Sequence, residues 1–363
     1  MRVLIDIGHP AHVHLFRNLY HEMIADGHQV IVSIKDIAIA KQLLDLYKIP
    51  YIVLGKKSDG LLGKFFDQLI FGYKVYQIVR RNKIDLAIGT SINIAHVSKF
   101  SKVTSFVFDD DDSAVQPLMA KFGHPFADYI VSPDVLNYER LKPNQITYPG
   151  YHELAYLHPH RFTPDPKVLN EVGIAPGERY FILRFNAFKA HHDVGVNGLS
   201  LDQKRSLVHY LLQFGKVIIT TERDIDEEFL PYQIKVSPEK AHSLLAFSSL
   251  FIGDSQTMTS EAAVLGVPSL RCNSFAGRIS YLEEEEKKYQ LTFAYLPHDF
   301  DLLMERLEGW MKESNLLSDW QLRRQRMLAD KIDVTSFFKS MLYDFYLHGA
   351  INKSQWNFNE FKQ

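Results

Sequence analysis

Residues able to do chemistry gather at a few places along the chain. In GDSQTMTSEAAVLGVPSL (253–270), the polar turn Asp254, Ser255, Gln256 and Thr257 leads through Met258 into a helical run. Gly266 and Pro268 end that run. Unpaired amides and the helix dipole favour an anion at such a start. Glu261 follows within about a turn, where a carboxylate suits sugar hydroxyls rather than phosphate. Diphosphate on the helix end and ribose on Glu261 together describe a site for a nucleotide carrying a sugar. The plainer reading is a capped helix, with Ser255 or Thr257 as the cap.

A second group is His9, His12 and His14, following the apolar run RVLIDIG (2–8). Placed in the loop at a sheet's carboxyl edge, His12 could accept a proton or polarise a hydroxyl or diphosphate oxygen. His9 and His14 could do the same. Zinc is the other reading, but this spacing is not a recognised ligand pattern. A third group is Asp109 to Asp112 in FDDDDSAVQP. Asp110 could act as a general base and Asp112 could hold substrate. A solvated acidic loop or a magnesium site are the alternatives, and no metal is expected. A fourth group is Arg184, Lys189, His191, His192 and Asp193. Cations there could take up the negative charge of a departing diphosphate, with Arg184 as a planar fork. A solvated loop with a structural Asp–His pair is the alternative.

The elements that must carry these groups alternate between apolar runs and helical patterns. RVLIDIG and 28–34 read as strands around a helix from about 13 to 26, a βαβ opening that places ligands at the strands' carboxyl ends. Strands are expected at 51–54, 85–88 and 105–108, then at 179–185, 216–221, 232–236 and 248–252. Helices are expected at 38–47, 61–82, 202–214, 238–247, 299–312, 317–329 and 336–347. The helix over 61–82 carries Phe65, Phe66, Leu69, Ile70 and Phe71 and ends in Arg80, Arg81 and Lys83. Core packing is the expectation for its apolar residues, and a membrane-surface contact is the alternative. The run EEEE (283–286) reads as a solvated helix face.

The chain has 363 residues, enough for two domains, here 1–160 and 161–335, with a helix and tail over 336–363 packing back on the first. The 41 basic and 43 acidic residues nearly cancel, so no nucleic-acid partner is expected. The single Cys272 excludes an internal disulfide and suits a reducing cytoplasm. A strand beginning at Arg2 leaves no room for a signal peptide, and no apolar run reaches the ~20 residues of a membrane span. No G-x-G-x-x-G follows the first strand, which disfavours a dinucleotide-dependent dehydrogenase, and no cofactor is expected.

The 253–270 stretch resembles the donor-nucleotide motif of GT-B glycosyltransferases, especially the N-acetylglucosaminyltransferase that completes the lipid-linked peptidoglycan precursor. His12-Val13 is similar to the His-Val that ends that enzyme's first loop. Asp254-Ser255, Glu261-Ala262 and Leu265 to Pro268 are similar to the DS, EA and LG-x-P of hydrolysing UDP-N-acetylglucosamine 2-epimerases. Gln256 and Thr257 stand where these families carry glycines. Asp110, Asp112 and Ala114, then PFADYIVSP (125–133) and YPGYHELAYLHP (148–159), resemble the family known as domain of unknown function 354, among predicted polysaccharide-synthesis proteins.

These resemblances imply an α/β, GT-B-like fold, two Rossmann-like domains facing across a cleft. They imply a glycosyltransferase that moves a sugar from a nucleotide donor, UDP-linked, to a glycan or lipid-linked acceptor. His12 or Asp110 would be the base, and Arg184 would assist departure of the diphosphate. His9, His14, Asp112, Lys189, His191, His192, Asp193 and Ser255 to Met258 would hold substrate together with Glu261. Val236 would bracket the nucleobase and Arg278 would lie near the donor sugar. The setting would be cytoplasmic or peripheral at the inner membrane face. A hydrolysing 2-epimerase and a non-catalytic binding scaffold are the alternatives.

Overall fold

The computed structural model describes residues 1–362 apart from 57, 59, 186–197 and 222–224; the side chains of 61, 62, 64 and 65 also lie outside the description. The chain forms two units: residues 1–161 with 331–363, and residues 162–330.

In the first unit the order is β1 (Arg2–Ile7), α1 (Pro10–Ala25), β2 (Gln29–Lys35), α2 (Ala38–Leu46), β3 (Tyr51–Gly55) and α3 (Leu61–Asn82). It continues with β4 (Leu86–Gly89), α4 (Ile92–Ser98), β5 (Thr104–Phe108), α5 (Pro117–Phe122), β6 (Tyr129–Pro133), β7 (Gln145–Tyr148) and α6 (Leu154–Leu157). The seven strands are all parallel, in the order β3-β2-β1-β4-β5-β6-β7. Direction reverses between β1 and β4, the switch point where open α/β sheets bind ligands. β1 is a strand because Val3, Leu4 and Ile5 are wholly buried, as helices on both faces of a parallel sheet require. Its acid, Asp6, is also buried; it accepts hydrogen bonds from Ser33 Oγ at 2.6 Å and from Ser91 Oγ.

In the second unit α7 (Lys167–Glu171), β8 (Tyr180–Arg184), α8 (Leu201–Leu211), β9 (Lys216–Thr220), α9 (Ala241–Ala246) and β10 (Leu250–Gly253) come first. Then follow α10 (Gln256–Leu265), β11 (Ser269–Cys272), α11 (Ser280–Lys287), β12 (Thr292–Tyr295), α12 (Phe300–Lys312) and α13 (Leu316–Asp330). The parallel order is β12-β11-β10-β8-β9, with its own switch point between β8 and β10. Trp320 is buried, donates to the Leu291 carbonyl at 2.7 Å and meets Trp310 edge-on at 4.8 Å, which holds α12 and α13 to this unit.

The last helix, α14 (Val334–His348), belongs to the first unit. Phe338 lies 4.5 Å from the Phe108 ring and 5.2 Å from Tyr148, and Phe345 meets Phe106 at 5.1 Å. Trp356, Phe358 and Phe361 of the tail surround Phe337 at 5.1, 5.4 and 5.7 Å. The second unit ends at Asp330 rather than at 335, because the next turn is tied to the first unit. The Ile332 amide donates to the Pro149 carbonyl at 3.1 Å, and Thr335 Oγ1 donates to Ala155 at 2.7 Å.

Some expectations change. The first helix starts at Pro10, with proline in its first turn and His9 as cap, so His12 and His14 are helical rather than in a loop. Residues 232–236 form no strand; Gln233 makes only an isolated bridge to Ile219. On α3, Phe71 is buried, but Phe66, Leu69, Ile70 and Tyr73 are 60%, 57%, 50% and 61% exposed. Spaced by three and four, they form an apolar stripe facing solvent rather than a core face. The acidic run on α11 is not uniformly solvated: Glu285 is wholly buried and accepts from Ser260 Oγ at 2.6 Å. Among the described residues, no helix is long and apolar enough to cross a membrane.

Candidate functional site

In the first unit the carboxyl edge gathers side chains from five strand ends. Gly89 ends β4 at φ 152°, and a Cβ there would collide with the Asp6 carbonyl of β1, so glycine permits close approach across the switch point. The next residue, Thr90, places Oγ1 2.6 Å from His12 Nδ1. His9 Nδ1 accepts from the Ala11 amide at 3.3 Å, and its ring lies 5.8 Å from that of His12. Burial, then the neighbouring His9, lowers His12 to about 3, with His152 and Lys35 adding to the effect and Asp110 opposing it. His12 is therefore neutral at ordinary pH. Its Nε2 has no hydrogen-bond partner among the described residues.

After β5, Asp110 Oδ2 lies 3.1 Å from His152 Nδ1, four residues beyond β7. Burial pushes Asp110 up, but the charge and hydrogen bond of His152 and the charge of His12 bring it below its usual value. Burial likewise opposes the charged form of His152, and Asp110, with Asp109 and Asp111, raises it above an ordinary histidine. His152 Nε2 and the Tyr148 hydroxyl are buried and have no hydrogen-bond partner among the described residues. Such orphaned groups beside an ion pair mark a place where a ligand or water completes the bonding.

The four aspartates have separate fates. Asp109 accepts from His124 Nε2 at 2.6 Å and from buried Arg140 at 3.2 Å. Asp111 accepts from Gln116, and burial beside Asp110 and Asp109 raises it to about 7. Asp112 is buried and accepts from the Tyr138 hydroxyl. Asp109, Asp110 and Asp111 each bring one oxygen within 4.8 Å of the others, but two of the three already carry protein cations. His14 does not join this cluster: its ring packs 5.9 Å from Tyr47 and 5.4 Å from Tyr156.

In the second unit the corresponding edge is built around Gly253. It pairs with Arg184 across the switch point, and an added Cβ would lie 2.7 Å from the Arg184 carbonyl. The Asp254 amide donates to that carbonyl at 3.3 Å, so the strand bearing Arg184 fixes the turn that starts α10. Ser255 caps the helix, its Oγ accepting from the Met258 amide at 3.3 Å. Ser255, Gln256, Thr257 and Met258 are half-buried, and everything from Thr259 to Leu265 is buried. Glu261 lies among these and its Oε1 is 2.9 Å from His242 Nε2 on α9. Val236 is half-buried, and Arg278 is exposed before α11 with its guanidinium 5.5 Å from the Phe275 ring. Lys189, His191, His192 and Asp193 lie outside the described residues.

Sequence reasoning missed Lys35, His152 and Tyr148 in the first unit and His242 in the second. Recognising β7 in QITY would have put Tyr148 and His152 at the carboxyl edge; His242 carried no spacing signal.

This architecture, two parallel-sheet α/β units each with a polar switch point, is that of GT-B glycosyltransferases and their epimerase relatives. The chain belongs to the family described as "Protein of unknown function (DUF354)", which matches residues 1–292. An uncharacterized protein of Methanocaldococcus jannaschii is 24% identical over 304 residues, covering 78% of this chain and 86% of its own. The Neisseria meningitidis UDP-GlcNAc 2-epimerase bound to UDP-GlcNAc is 13% identical and shares the fold with a TM-score of 0.66, over 88% of this chain and 94% of its own. The spinosyn forosaminyltransferase SpnP is 16% identical with a TM-score of 0.61, over 91% and 95%. The resemblance to the family of unknown function is thus shown, and the fold is the one expected of the glycosyltransferase and epimerase resemblances.

Proposed function

We propose that the protein transfers a sugar from a UDP-linked donor to a glycan or lipid-linked acceptor in the synthesis of a surface polysaccharide. The observation that carries this reading is the edge of the second unit. There Arg184, the start of α10 and buried Glu261 supply a cation, a helix N-terminus and a carboxylate in the order diphosphate and ribose require. A neighbour of this fold bound to UDP-GlcNAc supports the same donor class.

In the proposed reaction the acceptor hydroxyl oxygen bonds to the anomeric carbon as the bond from that carbon to the diphosphate oxygen breaks. The electron pair stays on the diphosphate, which the α10 amides and Arg184 stabilise. In this reading His12 takes the hydroxyl proton at Nε2, its Nδ1–H donating to Thr90 Oγ1; with a value of about 3 it is a weak base, so the proton moves only as the anomeric bond breaks. Asp110 and His152 then act as an ion pair beside it rather than as the base. Single, buried Cys272, whose thiol burial raises to about 12, suits a cytoplasmic setting.

The second reading, C2 epimerisation with release of UDP, draws support from Asp111, whose value of about 7 suits a carboxyl that exchanges a proton. The test is a calorimetric and thermal-shift panel of UDP, GDP, CMP, ADP and NAD on wild type and Glu261→Ala. A ligand at 100 times its Kd should add about 2.7 kcal/mol of stability. UDP-selective binding lost in Glu261→Ala is expected; absence of nucleotide binding overturns both enzymatic readings. UDP-sugar turnover in D2O then separates the two, since only epimerisation places deuterium at C2.

A further inference from the structure

We infer that His242 is a positioning residue that gives the donor site its preference for ribonucleotides, by holding Glu261 in the geometry that receives the ribose hydroxyls. This rests on the donor-site reading above. Its own evidence is the way Glu261 is buried. A carboxylate inside a helix whose neighbours from Thr259 to Leu265 are all buried is costly unless bonded. Here His242 Nε2 lies 2.9 Å from Oε1, with side chains only 4% and 8% exposed. Solvent therefore cannot substitute for the imidazole.

The imidazole has a second contact, outside α10. The Phe162 ring meets it edge-on, 6.1 Å between centroids and 83° between planes. Its chain neighbour Ser243 accepts from the Asp165 amide at 3.1 Å. Both contacts come from the segment that opens the second unit. The position of Glu261 is thus set by α9 and by that segment as well as by its own helix. A carboxylate held by the imidazole offers vicinal hydroxyls a fixed direction, and a charged hydrogen bond depends steeply on direction.

The test compares UDP with 2′-deoxy-UDP by calorimetry. Wild type should prefer UDP by roughly tenfold or more, the worth of one hydrogen bond to a charged group. His242→Gln, whose amide nitrogen can stand near the Nε2 position, should keep that preference. His242→Asn, whose shorter side chain reaches only the Nδ1 position, should lose it by weakening UDP while sparing the deoxy form. Glu261→Gln should behave as His242→Asn does. Both His242 variants keep a polar group of similar size, and a cooperative thermal melt checks their folding. Equal weakening of both nucleotides in His242→Asn, or a preference that survives there, overturns the role of His242 while leaving the donor site standing. A wild type that binds neither nucleotide overturns the donor-site reading itself.

Discussion

Asp110 and Asp111 are adjacent in sequence, yet their surroundings drive them in opposite directions. Burial opposes the charge of both, but Asp110 has His152 at 3.1 Å, whereas the charges of Asp110 and Asp109 outweigh that of His152 at Asp111. The folded state therefore holds the Asp111 proton up to about pH 7, while an unfolded chain releases it near 3.8. A carboxyl with a raised value loses stability as pH rises through that window. Asp111→Asn should accordingly raise the melting temperature at pH 8 and leave it unchanged at pH 3, a difference that paired melts at the two pH values would read. An equal shift at both would mean that charge is not the cause. At this scale the sequence exposed the residues that come in runs, such as Ser255 with Glu261 and the aspartates. It hid His152 and His242, because a lone histidine acquires its meaning from a partner far along the chain: Asp110 is 42 positions away and Glu261 is 19.

Helices and strands were legible where one physical signal dominated. β1, β5, β8 and β10 are unbroken apolar runs and fall where those runs fall. β6 and β7 were hidden, since Pro133 ends one and Pro149-Gly150 follows the other, and such punctuation reads as loop. The start of α1 was placed near 13 rather than at Pro10, although proline fits the first turn of a helix. α3 shows the limit of pattern alone, since an apolar stripe predicts a buried face without saying what buries it. Here Phe71 and Val75 face the core while Leu69 and Ile70 face solvent. Phe71→Ala should thus cost about 3–5 kcal/mol, and Leu69→Glu no more than about 0.5 kcal/mol. Urea melts of the two variants measure both; a large loss in Leu69→Glu would show that the stripe is covered in solution.

Across the whole molecule the two sheets repeat a device. In each, the strand across the switch point ends in a glycine, Gly89 or Gly253, that lies against the carbonyl of its partner strand. Two α/β halves were legible from alternating strand and helix patterns; which half owned the last helix rested on contacts no local pattern encodes. Because α14 completes the first unit, a chain ending at residue 330 would leave Phe106, Phe108 and Tyr148 without Phe338 and Phe345. Such a chain should lose the cooperative melt of the first unit and bind a dye specific for exposed apolar surface; an unchanged melt would refute this. The same contacts govern the order of events at the ribosome. The first unit is made before α14, so its packing should be completed only once residues 334–348 have emerged, when the second unit is already whole. During that interval the aromatic face that α14 covers should stay bare, and a chaperone that shields it would act on the first unit until α14 has been made.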